Sequence, residues 1–280
     1  MAGAIDIMGD GMSSLWDRED RFFYDQVRRF DLSAVRLKVR SMVGLIPLFA
    51  VDVLDRRALN SEPDFLRHVE WFLENRPDLL ALVTRWAGEG FDDRHLLSLV
   101  RDRRLKSVLS RMLDEKEFLS CCGIRSLSKA HEETPYMYTD FGVRYLPGES
   151  DNDMYGGNSN WRGPIWLPVN YMLVRSLQRY KDFYGDRLKV PYPTGSQDYH
   201  DLGTVARDLG SRLIGLFARD AAGRRKVFGA REKLQTDPHF KDYILFHEYF
   251  HGETGEGLGA AHQTGWTALV ANLIQMHWEG

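Results

Sequence analysis

Two cysteines are all that this chain of 280 residues contains, and they are neighbours, Cys121 and Cys122. Adjacent cysteines rarely close a disulfide with good geometry. A disulfide framework is therefore excluded, and a reducing compartment is the expectation. A basic excess is missing too. Lys and Arg number 37 against 40 Asp and Glu, for a formal charge of -3. That lacks the electrostatic footprint of a nucleic-acid binder, and no tail of one sign stands out. No uninterrupted apolar run is long enough to span a bilayer, and no basic-plus-apolar leader opens the sequence. Together these absences lead to the expectation of a cytoplasmic protein without nucleic-acid or membrane partners. Internal repeats and low-complexity segments are also lacking. What remains is ordinary globular composition, 43% hydrophobic and 28% charged, at a length suited to one large domain or two small ones.

Apolar spacing predicts helices over 41–54, 62–74, 95–113, 165–184, 201–217 and 267–276. Pro47 lies near the first turns of the 41–54 segment, and Pro77 closes the 62–74 segment. WDREDRFFYD, 16–25, alternates too poorly for a helix and reads as a short hairpin or rim loop. Periodicity is lost over 118–165, a long stretch rich in Gly, Pro, Asn and aromatics. Loops of that length in a compact domain are usually functional or disordered, and the aromatics argue against disorder. The expectation is an all-α domain whose loops gather at one end.

One stretch inside that region asks for explanation: GGNSNWRGPIWLPVN, 156–170. Flat indoles make platforms for sugar rings or bases, and Arg and Asn supply directional donors. Pockets mix apolar faces with a few placed polar groups in this way. The alternative is a buried structural turn, with Trp161 and Trp166 in the core and Arg162 on backbone carbonyls. A second stretch, FHEYFHGETGEGLGAAHQTGW (246–266), contains HEYFH, which fits the zinc-protease pattern H-E-x-x-H. That pattern needs a helix, yet Gly252, Gly255, Gly257 and Gly259 follow at once. His262 is the one further ligand in sight. Glu248 can equally be a lone carboxylate among Phe246, Tyr249, Phe250 and Trp266, placed to activate water, or a surface Glu.

Taken together, the two stretches resemble the C-terminal part of glycoside hydrolase family 63. The resemblance is carried by Asn160-Trp161-Arg162-Gly163-Pro164-Ile165-Trp166 with the pair Asn170-Tyr171. It continues through Glu248, Phe250, Thr254-Gly255-Glu256-Gly257, Gly259 and Gly265-Trp266 in the family's order. WDREDRFFYD and VRSMVGLIPLFAV look like the family's bacterial branch. The resemblance implies that 1–280 is the C-terminal portion of one (α/α)6 barrel catalytic domain that lacks its N-terminal helices. It implies inversion at an α-glycosidic carbon, with one carboxylic acid protonating the leaving oxygen and one carboxylate activating water. The base falls on Glu248, and sugar contacts fall on Trp161, Arg162, Trp166, Asn170 and Trp266; Gln263, in HQTGW, is a further candidate to hydrogen-bond a sugar hydroxyl. No metal or cofactor is implied, and the partner is a carbohydrate.

One departure shapes the expectation. The family's general acid is an Asp in a G-L-D-N-like motif upstream of the WRGP segment, and that motif is absent here; Asp6, Asp10, Asp17 and Asp20 lack its neighbours. Three readings therefore stand: a hydrolase portion without its acid, a carbohydrate-binding remnant without turnover, and a zinc peptidase on His247, Glu248 and His251. Glu149, Asp151 and Asp153 are candidates for a pocket mouth, with loop solvation as the alternative. Arg40 and Arg125 either reach the site or pack. Phe23 and Tyr24 are candidates for an aromatic rim, and the two cysteines read as structural.

Overall fold

The computed structural model describes residues 14–31, 33–77, 84–85, 94–100, 102–139, 141–151 and 161–279. Residues 156–160, Asp6, Asp10 and Asp153 lie outside the described residues.

WDREDRFFYD folds as the expected short hairpin, β1 (Trp16–Asp17) on β2 (Phe22–Phe23). Asp17 shapes its turn by accepting from the Glu19 and Asp20 amides at 2.9 and 2.8 Å. A second hairpin follows, β3 (Asp25–Arg28) on β4 (Ala34–Leu37).

The helix expected over 41–54 is corrected. The segment forms 3-10 turns at Met42–Gly44 and Ile46–Phe49 and then a strand, β5 (Val51–Asp55). Pro47 lacks an N–H and suits a first turn, while VDVLD carries β-branched residues at alternate positions. Helices α1 (Arg56–Ser61) and α2 (Pro63–Asn75) come next, the latter where 62–74 is expected. The helix expected over 95–113 is also corrected at its start. Strand β7 (Arg94–Ser98), preceded by β6 (Thr84–Arg85), pairs antiparallel with β5, and the sheet runs β5-β7-β6. Helix α3 (Asp102–Met112) begins only where the buried residues adopt helical spacing, at Leu105, Val108, Leu109 and Met112. The earlier leucines face a sheet partner instead.

Segment 118–165 holds tight antiparallel pairs, β8 (Leu119–Ser120) with β9 (Gly123–Ile124), and β10 (Tyr136–Tyr138) with β11 (Phe141–Val143). The frame behind them is helical. Helix α4 (Leu167–Tyr184) has a proline in its first turn and ends at Gly185, whose φ of +56° favours glycine. Strands β12 (Lys189–Pro191) and β13 (Tyr199–Asp201) form a hairpin leading to α5 (Leu202–Ile214). Asp201 caps α5 by accepting from the Gly203 and Thr204 amides at 2.9 and 3.2 Å. The α4 stripe of Leu173, Val174, Leu177 and Tyr180 packs on the α5 stripe of Leu202, Val205, Leu209 and Leu213. Strand β5 also lies on α4. A short helix α6 (Glu232–Thr236), the pair β14 (Tyr249–Phe250) and β15 (Gly257–Leu258), and helices α7 (Thr264–Thr267) and α8 (Val270–Glu279) complete the described chain, with α8 on α5. The all-α expectation holds for the frame, which is helical, and short antiparallel pairs make the connections. Among the described residues no helix is long and apolar enough to cross a membrane.

Candidate active site

The two stretches singled out in the sequence meet through one backbone pair. Ile165 and Phe250 exchange N–H···O bonds of 2.8 and 2.9 Å, and Ile165 also bridges to Arg125. In an antiparallel pair the next residues along, Trp166 and Tyr249, stand opposite each other on the other face. Their rings lie 4.9 Å apart. Trp161 stacks on Trp166 with centroids 3.9 Å apart and planes 10° off parallel, and Trp266 meets it edge-on at 6.1 Å. Trp166 is buried, Trp161 half-buried, and Trp266 is 37% exposed. The result is an aromatic wall that runs from the core to the surface.

Glu248 precedes Tyr249 at the edge of this wall and is half-buried. Its amide donates to the Ala260 carbonyl at 2.8 Å, and the Ala260 amide approaches its Oε2 at 3.4 Å. Gly259 sits at φ +64°, and a Cβ there would stand 2.8 Å from Glu248 Oε2. Only glycine fits both conditions. A second carboxylate closes the arrangement: Glu149 accepts from the Tyr249 hydroxyl and, at 3.4 Å, from the Gly259 amide. Burial and then the Glu149 hydrogen bond push the Tyr249 hydroxyl well above its ordinary range, so it stays protonated and donates. Consecutive amides, Gly259 and Ala260, thus each face one carboxylate.

The glycine-rich loop is tied down from below. The Arg125 guanidinium is buried and pairs with Glu253 at 3.0 Å. It also donates to the Tyr145 hydroxyl and to the carbonyls of Glu115, Glu117 and Leu119. Tyr145 donates to Glu253 at 2.6 Å, and Lys129 pairs with it at 3.4 Å. Burial works against the Glu253 carboxylate, but the Tyr145 hydrogen bond and the Arg125 charge outweigh it and hold its pKa below the usual range.

The remaining candidates take different places. Arg162 is buried and reaches back to Ser150 and to Asp151 at 3.8 Å, anchoring the 146–151 segment beside the wall. Asn170 faces backbone groups in the core. It is 2% exposed, accepts from Ile124 N at 2.7 Å and donates to the carbonyls of Ile124 and Trp166 at 2.9 and 3.0 Å. Gln263 leads into α7 with its amide on the Phe246 carbonyl at 2.8 Å. Phe23 and Tyr24 are buried at the first hairpin rather than at a rim. Arg40 pairs with Glu117 at 3.3 Å.

The zinc reading is corrected as well. HEYFH runs into a strand, not a helix, so its histidines do not stack one turn apart. His251 Nδ1 accepts from the amides of Glu253 and Thr254, each at 3.2 Å. The His247 ring lies buried against Gly257, where a Cβ would come within 2.2 Å of it. Sequence reasoning passed over Tyr249 as a link between carboxylates and Glu253 as the anchor of the loop. Their signal is a long-range one, visible only once Glu149 and Arg125 arrive from distant segments.

Residues 95–194 match the family model described as Glycosyl hydrolase family 63 C-terminal domain. Over 97% of its length the chain is 47% identical to the uncharacterized protein YMR196W of Saccharomyces cerevisiae, of which it covers 26%. It is 27% identical over 62% of its length to a probable mannosyl-oligosaccharide glucosidase of Schizosaccharomyces pombe, covering 16% of that protein. It is 26% identical over 49% of its length to the mannosyl-oligosaccharide glucosidase of S. cerevisiae, covering 13%. Among solved structures, the GH63 mannosylglycerate hydrolase from Thermus thermophilus in complex with glucose aligns at a TM-score of 0.42 and 16% identity, over 95% of this chain and 35% of that one. The chain thus spans between 13% and 26% of the length of these curated relatives.

Proposed function

The chain carries a segment of the glycosyl hydrolase family 63 C-terminal domain, and from that premise we propose that its aromatic wall and Glu248 belong to the sugar pocket of an inverting α-glycoside hydrolase. The substrates are glucosides or mannosyl-containing oligosaccharides, a class supported by the names of two relatives. The observation that carries this reading is the convergence of Trp161, Trp166 and Trp266 beside Tyr249, the strand residue that follows Glu248. Indole faces and edges offer apolar area to the C–H side of a sugar ring. Glu248 is the base. Its carboxylate, held near the Ala260 amide, takes a proton from the water that attacks the anomeric carbon on the face opposite the leaving oxygen. In this reading α4, α5 and α8 are part of an (α/α)6 barrel.

Inversion needs an acid roughly 6.5–9.5 Å from the base to protonate the leaving oxygen. No G-L-D-N-like segment supplies one in this sequence. That absence favours a second reading, sugar binding without turnover.

The test is hydrolysis of a panel of α-glucosides and mannosylglycerate, with the released anomer followed, by this chain and by Glu248→Gln. Turnover with inversion that falls by roughly 10²–10⁴-fold in Glu248→Gln, with folding intact, supports the hydrolase. Sugar binding without turnover, equal in both proteins, supports the binding reading. Turnover equal in both removes Glu248 from the base role.

A further inference from the structure

The cysteines take no part in the proposed pocket, yet their geometry is specific. Along a strand, neighbouring side chains point to opposite faces. Cys121 and Cys122 instead form the turn between β8 and β9, and their sulfurs lie on one side, 3.3 Å apart. The turn is fixed from within: Ser120 Oγ donates to the Gly123 carbonyl at 3.0 Å and accepts from the Cys122 amide at 3.1 Å. Cys121 is exposed, and its thiol donates to the Glu253 carbonyl at 3.3 Å. Cys122 is buried, with Lys226 Nζ 3.9 Å from its sulfur.

We propose that Cys121 and Cys122 form a two-thiol site for a trivalent thiophilic ligand of the arsenical class, with one arsenic bound by both sulfurs. The distance decides between this and a disulfide. With bonds of about 2.3 Å, the length of a thiolate–zinc bond, two sulfurs on a pyramidal centre with near-right-angle bonds stand about 3.3 Å apart. The pair is already at that separation. A disulfide needs about 2.05 Å between sulfurs that share one peptide link, far from its preferred Cα separation. The thiols are soft ligands and select soft acceptors. Burial and the neighbouring Cys121 push the Cys122 thiol up to about 12, so it is protonated at neutral pH and a poor nucleophile for thiol–disulfide exchange. Arsenical capture takes neutral thiols. An arsenoxide R–As=O and two S–H groups give R–As(S)₂ and one water: two As–S bonds form, the As=O and both S–H bonds break, and nothing is oxidised or reduced. The exposed side of Cys121 leaves room for the third substituent on arsenic.

The test uses phenylarsine oxide on the reduced full chain, read by intact mass in excess glutathione. One phenylarsenic group per chain should be retained and then released by 2,3-dimercaptopropanol. Cys121→Ser and Cys122→Ser should each lower retention by roughly 100-fold or more, because one contact lacks the gain that two linked contacts give. Circular dichroism checks both variants for folding. Cys121→Ser changes only an exposed side chain and keeps the test decisive if Cys122→Ser unfolds. An adduct missing from the wild-type chain, an adduct kept by Cys121→Ser, or an arsenic bridging two chains would each overturn the proposal.

Discussion

At the scale of single residues, Asn170 shows how one side chain can hold a site without touching a ligand. Its amide satisfies both backbone groups of Ile124 and pins the β8–β9 hairpin to the first turn of α4. In Asn170→Ala the Ile124 N–H and C=O lose these bonds in the core. Each orphaned group costs about 1–3 kcal/mol, so urea denaturation should show a loss of about 2–6 kcal/mol. Asn170→Asp keeps the acceptor for Ile124 N but turns an oxygen toward the Ile124 carbonyl, and it should also destabilise. The sequence singled out Asn170, and its backbone partners were not legible there. An Asn opening a helix beside two tryptophans reads as a sugar ligand until its three partners are seen to be backbone. Trp161, Trp166, Trp266 and Glu248 were legible as a group because two motif-dense segments of one chain had few other reasons to carry so many rings.

At the scale of elements, the β14–β15 pair is the part that aims Glu248. Gly259, the residue after β15, sits in the left-handed region directly under the carboxylate. Gly259→Ala should cost about 1–2 kcal/mol for backbone conformation alone, and its methyl would displace the Glu248 carboxylate. Gly259→Asn, a residue more tolerant of that region, should recover part of the backbone cost and none of the carboxylate placement. Denaturant midpoints of the two variants check the first statement, and sugar hydrolysis or binding checks the second. The glycine run forecast a loop here, but not the hairpin flanking it. Strands of two residues carry no periodicity, and Phe250 also bridges Ile165, more than eighty positions away along the chain. The misread end of the 41–54 segment and start of the 95–113 segment share that cause. Val51–Asp55 and Arg94–Ser98 are strands because they meet each other, and local apolar spacing cannot report a partner.

At the scale of the whole molecule, buried histidines set the response to acid. Burial pushes the His131 and His247 pKa values below the ordinary value. His131 Nε2 accepts from the Arg40 amide at 3.0 Å and therefore has to be unprotonated. The unfolded chain takes up protons near pH 6.5 while the folded chain does not. Stability should thus be full above that pH and decline as pH falls through 6.5 toward the lower folded values. Glu253, with its pKa also held down, adds a second loss at lower pH, as the solution passes its own folded value. Melting temperature measured from pH 8 down to about pH 2 should show both phases, and His131→Gln should flatten the first. The Trp161–Trp166 stack has a consequence of another kind. Two parallel indoles 3.9 Å apart share absorbed light faster than either emits it, so they behave optically as one chromophore. Whatever parts them, such as Trp161 lifting away, splits one emitter into two. The chain carries its own dye-free gauge of this stack.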